Sequence, residues 1–257
     1  MMFEPFDIII SKSYAYSKDE FKTNQRWRIL EELYNRNFLN DEGRNYDRLP
    51  KKIHQIWLGG KMPDKYRKYS ETWQRLNPDW EYKLWGDSDA LDFTMVNRGC
   101  FEKADNYGQK SDIFRYEILR KEGGLYVDTD FECLKPFSDL SYLGFLTGVG
   151  YPPKPELYIG LIACEPYHPI ICHIVSEMYY VKSNGWREIF DTTGSYFFTR
   201  CFFDMVKEYC KDVLVLPTDY FYPFPNQEGH QLKRGVDYIK DCSYAVHHWA
   251  VSWIKKH

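Results

Sequence analysis

The stretch GGLYVDTDFECLKP, Gly123–Pro136, decides how this chain folds. Two glycines open it, an apolar run follows at Leu125–Val127, and Asp128 and Asp130 stand one residue apart where that run ends. The glycines close a helical pattern that runs back to Ser111, and LYVD (Leu125–Asp128) reads as a buried strand, which together make the helix-to-strand step of an α/β sheet. Side chains two apart in an extended chain point to the same side, about 6–7 Å apart. At the carboxyl end of a strand in an open α/β sheet they would face the crevice where ligands bind. Two carboxylates converging there repel unless a cation sits nearby, and hard oxygen donors select Mg²⁺ or Mn²⁺, ions that commonly hold phosphate oxygens as well. The residues alone leave two readings open: a divalent-metal clamp for a diphosphate, or an acidic pair capping amides at a loop tip. The D-x-D spacing is weak by itself. Asp87 and Asp89 in WGDSD match it too, and there a turn into a helix N-terminus accounts for the carboxylates.

Upstream, SDIFRYEILRKE (Ser111–Glu122) reads as a strong helix with Ser111 as its N-cap and Phe114, Ile118 and Leu119 on the core side. Asp112 and Arg115, three apart, are neighbours on one helix face. They read either as a surface ion pair or as the helix start lining the same crevice, where a carboxylate and a guanidinium can hold sugar hydroxyls.

The rest of the chain repeats the alternation. KIHQIW (Lys52–Trp57), WEYKLW (Trp80–Trp85), Phe145–Val149, Leu157–Cys164 and Val213–Leu216 read as strands, and Ala245–Trp249 as a late strand or turn. Lys65–Leu76, Asp87–Val96, Pro169–Val181 and Tyr196–Tyr209 read as helices. A mixed α/β sheet with helices on both faces is the expected architecture. Residues 1–48 read as a helical N-terminal appendage, with Phe21, Trp27, Leu30, Leu33 and Tyr34 at roughly helical spacing, and residues 49–257 as the main domain; NDEGRNYDRLP (Asn40–Pro50) reads as the linker between them.

Composition bounds the function. With 257 residues and a formal net charge of -3, the chain has length for a sizeable core and no bulk charge for binding nucleic acid or an anionic bilayer. Seven cysteines, an odd number without a C-x-x-C, fit individual buried thiols in a reducing compartment. No stretch reads as a secretion signal, and Phe6–Ile10 is far too short to span a bilayer. The expected setting is therefore cytoplasmic, with a peripheral membrane contact left open. Twenty-two tyrosines and eight tryptophans fit either an aromatic-rich core or a surface that stacks rings on sugars or bases.

Ser111–Asp130 reads S-D-x-x-R-Y-x-x-L-x-x-x-G-G-x-Y-x-D-x-D. This resembles the signature of glycosyltransferase family 32, the DXD-containing sugar transferases. That family includes initiating α-1,6-mannosyltransferases and is related to α-1,4-galactosyltransferases and, more distantly, to the glucosyltransferase domains of clostridial toxins. PKKIHQIWLG (Pro50–Gly59) resembles the family's first strand, which implies that Trp57 stacks on the nucleotide base; a strand-end core aromatic is the alternative. AVHHWAVSW (Ala245–Trp253) resembles the H-x-W…S-W ending, which implies His247 as a third metal ligand, with His248 as rival, and Ser252 and Trp253 on the nucleotide side. DTTGSYFFT (Asp191–Thr199) is similar to a T-G-P-x-x-x-T segment lining the donor or acceptor side, with Ser195 at the Pro position.

The resemblance covers about Leu49–Trp253. It implies a GT-A type, Rossmann-like fold and a retaining hexosyltransferase. Its donor would be a nucleoside-diphosphate sugar, UDP-sugar before GDP-mannose, with Mn²⁺ or Mg²⁺ held by Asp128, Asp130 and His247. Ser111, Asp112 and Arg115 would meet the donor, and the acceptor would be a glycan, polysaccharide or lipid-linked sugar. A sugar-nucleotide or glycan-binding protein without turnover, and a sugar-nucleotide phosphohydrolase, are the competing classes.

Overall fold

A computed structural model describes residues 4–13, 16–40, 46–179, 186–223 and 238–250. The strands are β1 (Lys52–Ile56), β2 (Glu81–Trp85), β3 (Gly124–Val127), β4 (Phe131–Cys133), β5 (Phe145–Val149), β6 (Leu157–Cys164), β7 (Val213–Leu216) and β8 (Ala245–His247). Six of them form one sheet in the order β2-β1-β3-β6-β5-β7. β1 runs parallel to β2 and β3, β5 runs parallel to β7, and β6 is antiparallel to both its neighbours. β6 thus runs against the other five. The expected mixed α/β sheet is present, and every residue of β3, β5 and β7 is buried, as strands covered on both faces must be.

The direction of the strands positions the site. The carboxyl ends of β1 and β3 and the amino end of β6 meet at one edge, bringing Trp57, Asp128 and Tyr158 to the same cavity. Asp128 continues the ladder for one more bond, its N–H donating to Gly160 O at 2.8 Å. The chain then turns and re-enters a second, two-stranded sheet in which β4 pairs antiparallel with β8. This three-residue strand was not expected from the sequence. The Asp64–Leu76 helix fixes it: Trp73 Nε1 donates to Phe131 O at 3.0 Å, and Thr72 Oγ1 accepts from Cys133 N at 2.8 Å.

The helix before β3 spans Tyr107–Glu122, one turn longer than expected. Its N-cap is Asn106, whose side chain accepts from Gly108 N and Gln109 N, so Ser111 lies inside the helix and does not cap it. Asn106 satisfies orphan amides that Ser111 would otherwise serve. At the other end Gly123 and Gly124 hold φ of +62° and +85°. A Cβ on Gly124 would lie 2.6 Å from Lys52 O, so the turn that delivers β3 beside β1 admits only glycine.

Other boundaries moved modestly. The helix from Asp87 ends at Asp92, and Arg98–Lys103 is a separate helix. Pro169–Ser176 and Ser195–Met205 are shorter than their expected spans. The N-terminal helices Phe6–Ser11, Lys18–Thr23 and Gln25–Tyr34 pack through Phe6, Trp27, Leu30 and Tyr34 into the same apolar core as the sheet. Asn37 donates to Val213 O at 2.7 Å, tying this segment to β7. Among the described residues no helix is long and apolar enough to cross a membrane. Ser252 and Trp253 lie outside the described residues, as does part of the Asn40–Pro50 linker.

His54 on β1 is 2% exposed and locked between Trp85 and Gly123. Trp85 Nε1 donates to His54 Nδ1 at 3.2 Å, and Nε2 contacts Gly123 O at 2.9 Å. An indole N–H only donates, so Nδ1 must stay unprotonated and the ring neutral. Burial accordingly pulls the His54 pKa down to about 4, partly opposed by the Gly123 bond. The unfolded chain binds a proton near pH 6.5 that the folded chain refuses until about pH 4, so this stability is full above 6.5 and is lost as pH falls through that window. The loss should be on the order of 3 kcal/mol. In urea titrations across pH 7 to 4, His54→Asn should flatten the acid slope by that amount; an unchanged slope would show that His54 does not control it.

Candidate active site

The cavity at the strand ends has a volume of about 420 Å³, within the range of small-molecule sites. Its floor is acidic, and two separate parts of the fold hold the acids. Asp128, at the end of β3, accepts through Oδ1 from Tyr126 OH at 2.7 Å and lies 3.2 Å from Arg115 NH1. Arg115 also pairs with Asp112 Oδ1 at 2.8 Å and donates to Ile159 O at 2.8 Å. Its guanidinium sits 4.6 Å from the centre of the Tyr126 ring. Thr193 Oγ1 donates to the other Asp112 oxygen at 3.0 Å. The Asp112–Arg115 pair is thus an i,i+3 pair, as the spacing requires, but it is buried at 6% and 5% exposure and lines the cavity.

Asp130 is held from the second sheet. Its Oδ1 lies 3.0 Å from His247 Nε2, and its Oδ2 accepts from Ala250 N at 2.8 Å. The register explains which histidine arrives. Phe131 faces His247 across the β4–β8 pair, so their rings share a face and stack at 4.5 Å. The next residue points the opposite way: His248 stacks on Tyr69 at 4.3 Å and lies 3.1 Å from Glu132 Oε2. One ligand atom from each of Asp128, Asp130 and His247 falls within a 4.8 Å span, which His248 does not join.

Burial lifts the Asp128 carboxyl above the usual range; Arg115 opposes that and the neighbouring Asp130 charge adds to it. Burial pushes Asp130 the same way, but His247 and the Ala250 N–H outweigh it and hold Asp130 low. Asp112 is lifted by burial to about 7 despite Arg115 and Thr193. Burial works against the Arg115 charge, yet Asp128, Tyr126 and Asp112 keep it firmly protonated. A cation between Asp128 and Asp130 would relieve their repulsion. The group fits one: two carboxylates and an imidazole suit Mn²⁺ or Mg²⁺, and His247 Nδ1 is buried without a hydrogen-bond partner among the described residues.

Trp57 lines the same cavity, half-buried, its ring 5.0 Å from Tyr66. Ser111 lines it as well, its carbonyl 3.4 Å from Arg115 Nε. Asp87 and Asp89 stand apart in a turn: Asp89 accepts from Gly86 N and Asp87 from Gly59 N. Sequence reasoning flagged segments holding Glu156, Tyr158, Thr193, Tyr222 and Trp249 but singled out none of these residues, which border the cavity or bond to its walls. Thr193 and Ser195 bond to Asp112 and Glu156, at 3.0 and 2.5 Å, which shows how the Asp191–Thr199 segment meets the site. Glu156 and Tyr158 belong to the aromatic, proline-rich stretch Tyr151–Tyr158 and Tyr222 to Phe221–His230, whose composition fits either an acceptor groove or a packing loop.

Residues 63–144 match the family described as "Glycosyltransferase sugar-binding region containing DXD motif". The chain is 30% identical over 190 residues to the uncharacterized glycosyltransferase L373 of Acanthamoeba polyphaga mimivirus, covering 68% of this chain and 73% of that one. It is 28% identical over 191 residues to inositol phosphoceramide mannosyltransferase 1 of Schizosaccharomyces pombe, covering 70% of this chain but only 59% of the relative. Among solved structures, a PaToxG glycosyltransferase superposes with a TM-score of 0.56 at 22% identity, over 74% of this chain and 78% of that chain.

Removing the Arg115 charge leaves the buried Asp112 and the half-buried Asp128 without a counter-ion. Arg115→Met should therefore cost about 3–5 kcal/mol of stability, the range for breaking a buried pair on one side. Adding Asp112→Asn should recover part of that loss. Chemical denaturation at pH 7 measures both, and an Arg115→Met variant as stable as wild type would show that the guanidinium does not hold this floor together.

Proposed function

This chain belongs to the glycosyltransferases that carry a DXD-containing sugar-binding region, with a GT-A type fold, and we propose that it transfers a hexose from a nucleoside-diphosphate sugar with retention of anomeric configuration. The observation that carries this is the Asp128, Asp130 and His247 group on the floor of a cavity whose wall is Trp57. Those three residues would hold Mn²⁺, or Mg²⁺, which when bound neutralises the diphosphate and eases departure of the leaving group. UDP-sugars are the favoured donors, ahead of GDP-mannose.

The chain's own residues bind and orient. The Trp57 indole offers a face to the base. Asp112 accepts from a hydroxyl of the transferred sugar, and Ser111 stands beside it. Arg115 acts on the sugar through the carboxylates it holds, fixing Asp112 and Asp128. Ser252 and Trp253 are assigned to the nucleotide side by resemblance alone. An acceptor hydroxyl attacks the anomeric carbon on the face the diphosphate leaves. The carbon–oxygen bond to phosphate breaks as the new glycosidic bond forms, and a leaving phosphate oxygen takes the acceptor's proton. No side chain becomes glycosylated in this scheme, so trapping a covalent glycosyl-enzyme would overturn it.

The acceptor proposed is a carbohydrate, free or on a lipid, consistent with a relative named for a ceramide substrate. The proposed setting is cytoplasmic, with contact at a membrane surface where such acceptors lie. Residues 49–257 form the proposed catalytic unit, with residues 1–48 as a helical appendage bracing β7.

Turnover is tested by donor hydrolysis with and without Mn²⁺, using UDP-glucose, UDP-galactose and GDP-mannose. Free sugar with metal present supports a transferase, sugar phosphate points to a phosphohydrolase, and binding without turnover to a lectin-like role. Asp130→Asn should lower metal-dependent turnover more than about a hundredfold, since even outer-shell partners of a metal cost 10- to 100-fold. Its thermal midpoint without metal should fall modestly with the fold retained, since His247 and the Ala250 N–H favour the Asp130 charge; full activity would defeat the assignment. Trp57→Ala should weaken nucleotide binding by roughly 1–3 kcal/mol in calorimetry, and an unchanged affinity would return Trp57 to the core.

A further inference from the structure

Tyr222 follows the Thr218–Phe221 helix and is 1% exposed, yet it borders the cavity. Its phenol oxygen is fully buried with no hydrogen-bond partner among the described residues. The Leu161 backbone N–H lies near that oxygen; as a donor it meets a lone pair and leaves the phenol's own proton unused. The neighbours are rings: Tyr158 at 5.1 Å, Phe131 at 5.4 Å, His247 at 5.8 Å and Trp249 at 6.0 Å. Packing alone would be served better by phenylalanine, because a buried hydroxyl left unpaired destabilises the fold.

The hydroxyl is also aimed somewhere specific. A Cβ on Gly160 of β6 would lie 3.0 Å from Asp128 Oδ2 and 3.5 Å from the Tyr222 hydroxyl. Glycine at that position lets Asp128 Oδ2 and the Tyr222 hydroxyl both approach β6, where a side-chain carbon would collide. Asp128 Oδ1 is already engaged by Tyr126 and Arg115, so Oδ2 is the oxygen on the Tyr222 side. A donor O–H beside a metal-clamping carboxylate, with no acceptor of its own, is matched to an electron-rich oxygen brought in by a ligand.

We propose, resting on the nucleotide-sugar reading of the cavity, that Tyr222 contacts the donor substrate: its O–H donates a hydrogen bond to an oxygen of the bound nucleotide sugar, on the diphosphate or on the transferred sugar. Tyr222→Phe removes only that oxygen. The ring contacts stay, and so does the Tyr222 carbonyl that accepts from Tyr151 OH.

The test is calorimetric binding of UDP, UDP-glucose, UDP-galactose, GDP and GDP-mannose in the presence of Mn²⁺, with thermal midpoints measured without ligand. The unliganded midpoint of Tyr222→Phe should equal or exceed that of wild type, since an unpaired hydroxyl has been removed. Affinity should fall roughly five- to tenfold, as for one lost hydrogen bond. A fall shared by the nucleoside diphosphate and its sugar places the bond on the diphosphate; a fall confined to the sugar nucleotide places it on the sugar. Equal affinity of wild type and variant for every ligand would overturn the proposal while leaving the transferase reading intact. A lower unliganded midpoint with unchanged affinity would overturn it too, by making the hydroxyl structural. If wild type bound none of these ligands, the nucleotide-sugar reading would fall, and the role of Tyr222 with it.

Discussion

One buried guanidinium underlies the site. Arg115 reaches from the Tyr107–Glu122 helix to the end of β3 and to the carbonyl of Ile159 on β6, so three elements meet on one cation. Without it, Asp112 and Asp128 could not both lie under the sheet edge, because an unpaired buried charge is too costly to keep. With it, the cavity acquires an acidic floor anchored by the Tyr107–Glu122 helix and the end of β3. Tyr126, stacked beneath the guanidinium and bonded to Asp128, completes the support.

Asp130 depends on a different constraint. It leaves β3 through a turn and is captured by the β4–β8 pair, which brings residues 131 and 247 face to face. The two acids of the D-x-D are therefore held from opposite sides, one by Arg115 and one by His247 and the Ala250 amide. Their environments push their proton affinities apart, Asp128 up and Asp130 down. That asymmetry belongs to two like charges confined together, and it favours a cation between them.

Much of the fold was legible from local pattern. The glycine pair after Glu122, the apolar strands and the amphipathic Asp64–Leu76 helix carry their own signals, because turns, buried strands and helix faces are dictated by nearby residues. The misses share one cause. β4 is three residues long and exists because β8, over a hundred positions away, pairs with it. Asn106 caps the helix expected to begin at Ser111, where no periodic apolar residue marks the first turn. Glu156 and Tyr222 enter the site from segments that carry no motif by themselves.

By itself the sequence determined the alternating α/β order, the place of the acidic pair at a strand end, and the helix face shared by Asp112 and Arg115. Those follow from backbone periodicity and the special conformations of glycine, which act over a few residues. Only the tertiary structure decided that His247 and not His248 joins the aspartates, that Arg115 turns inward to them, and that the Tyr222 hydroxyl is buried at the cavity wall with no partner among the described residues. Each of those depends on which distant strands pair and in what register, and a shift of one residue would send the side chain to the other face.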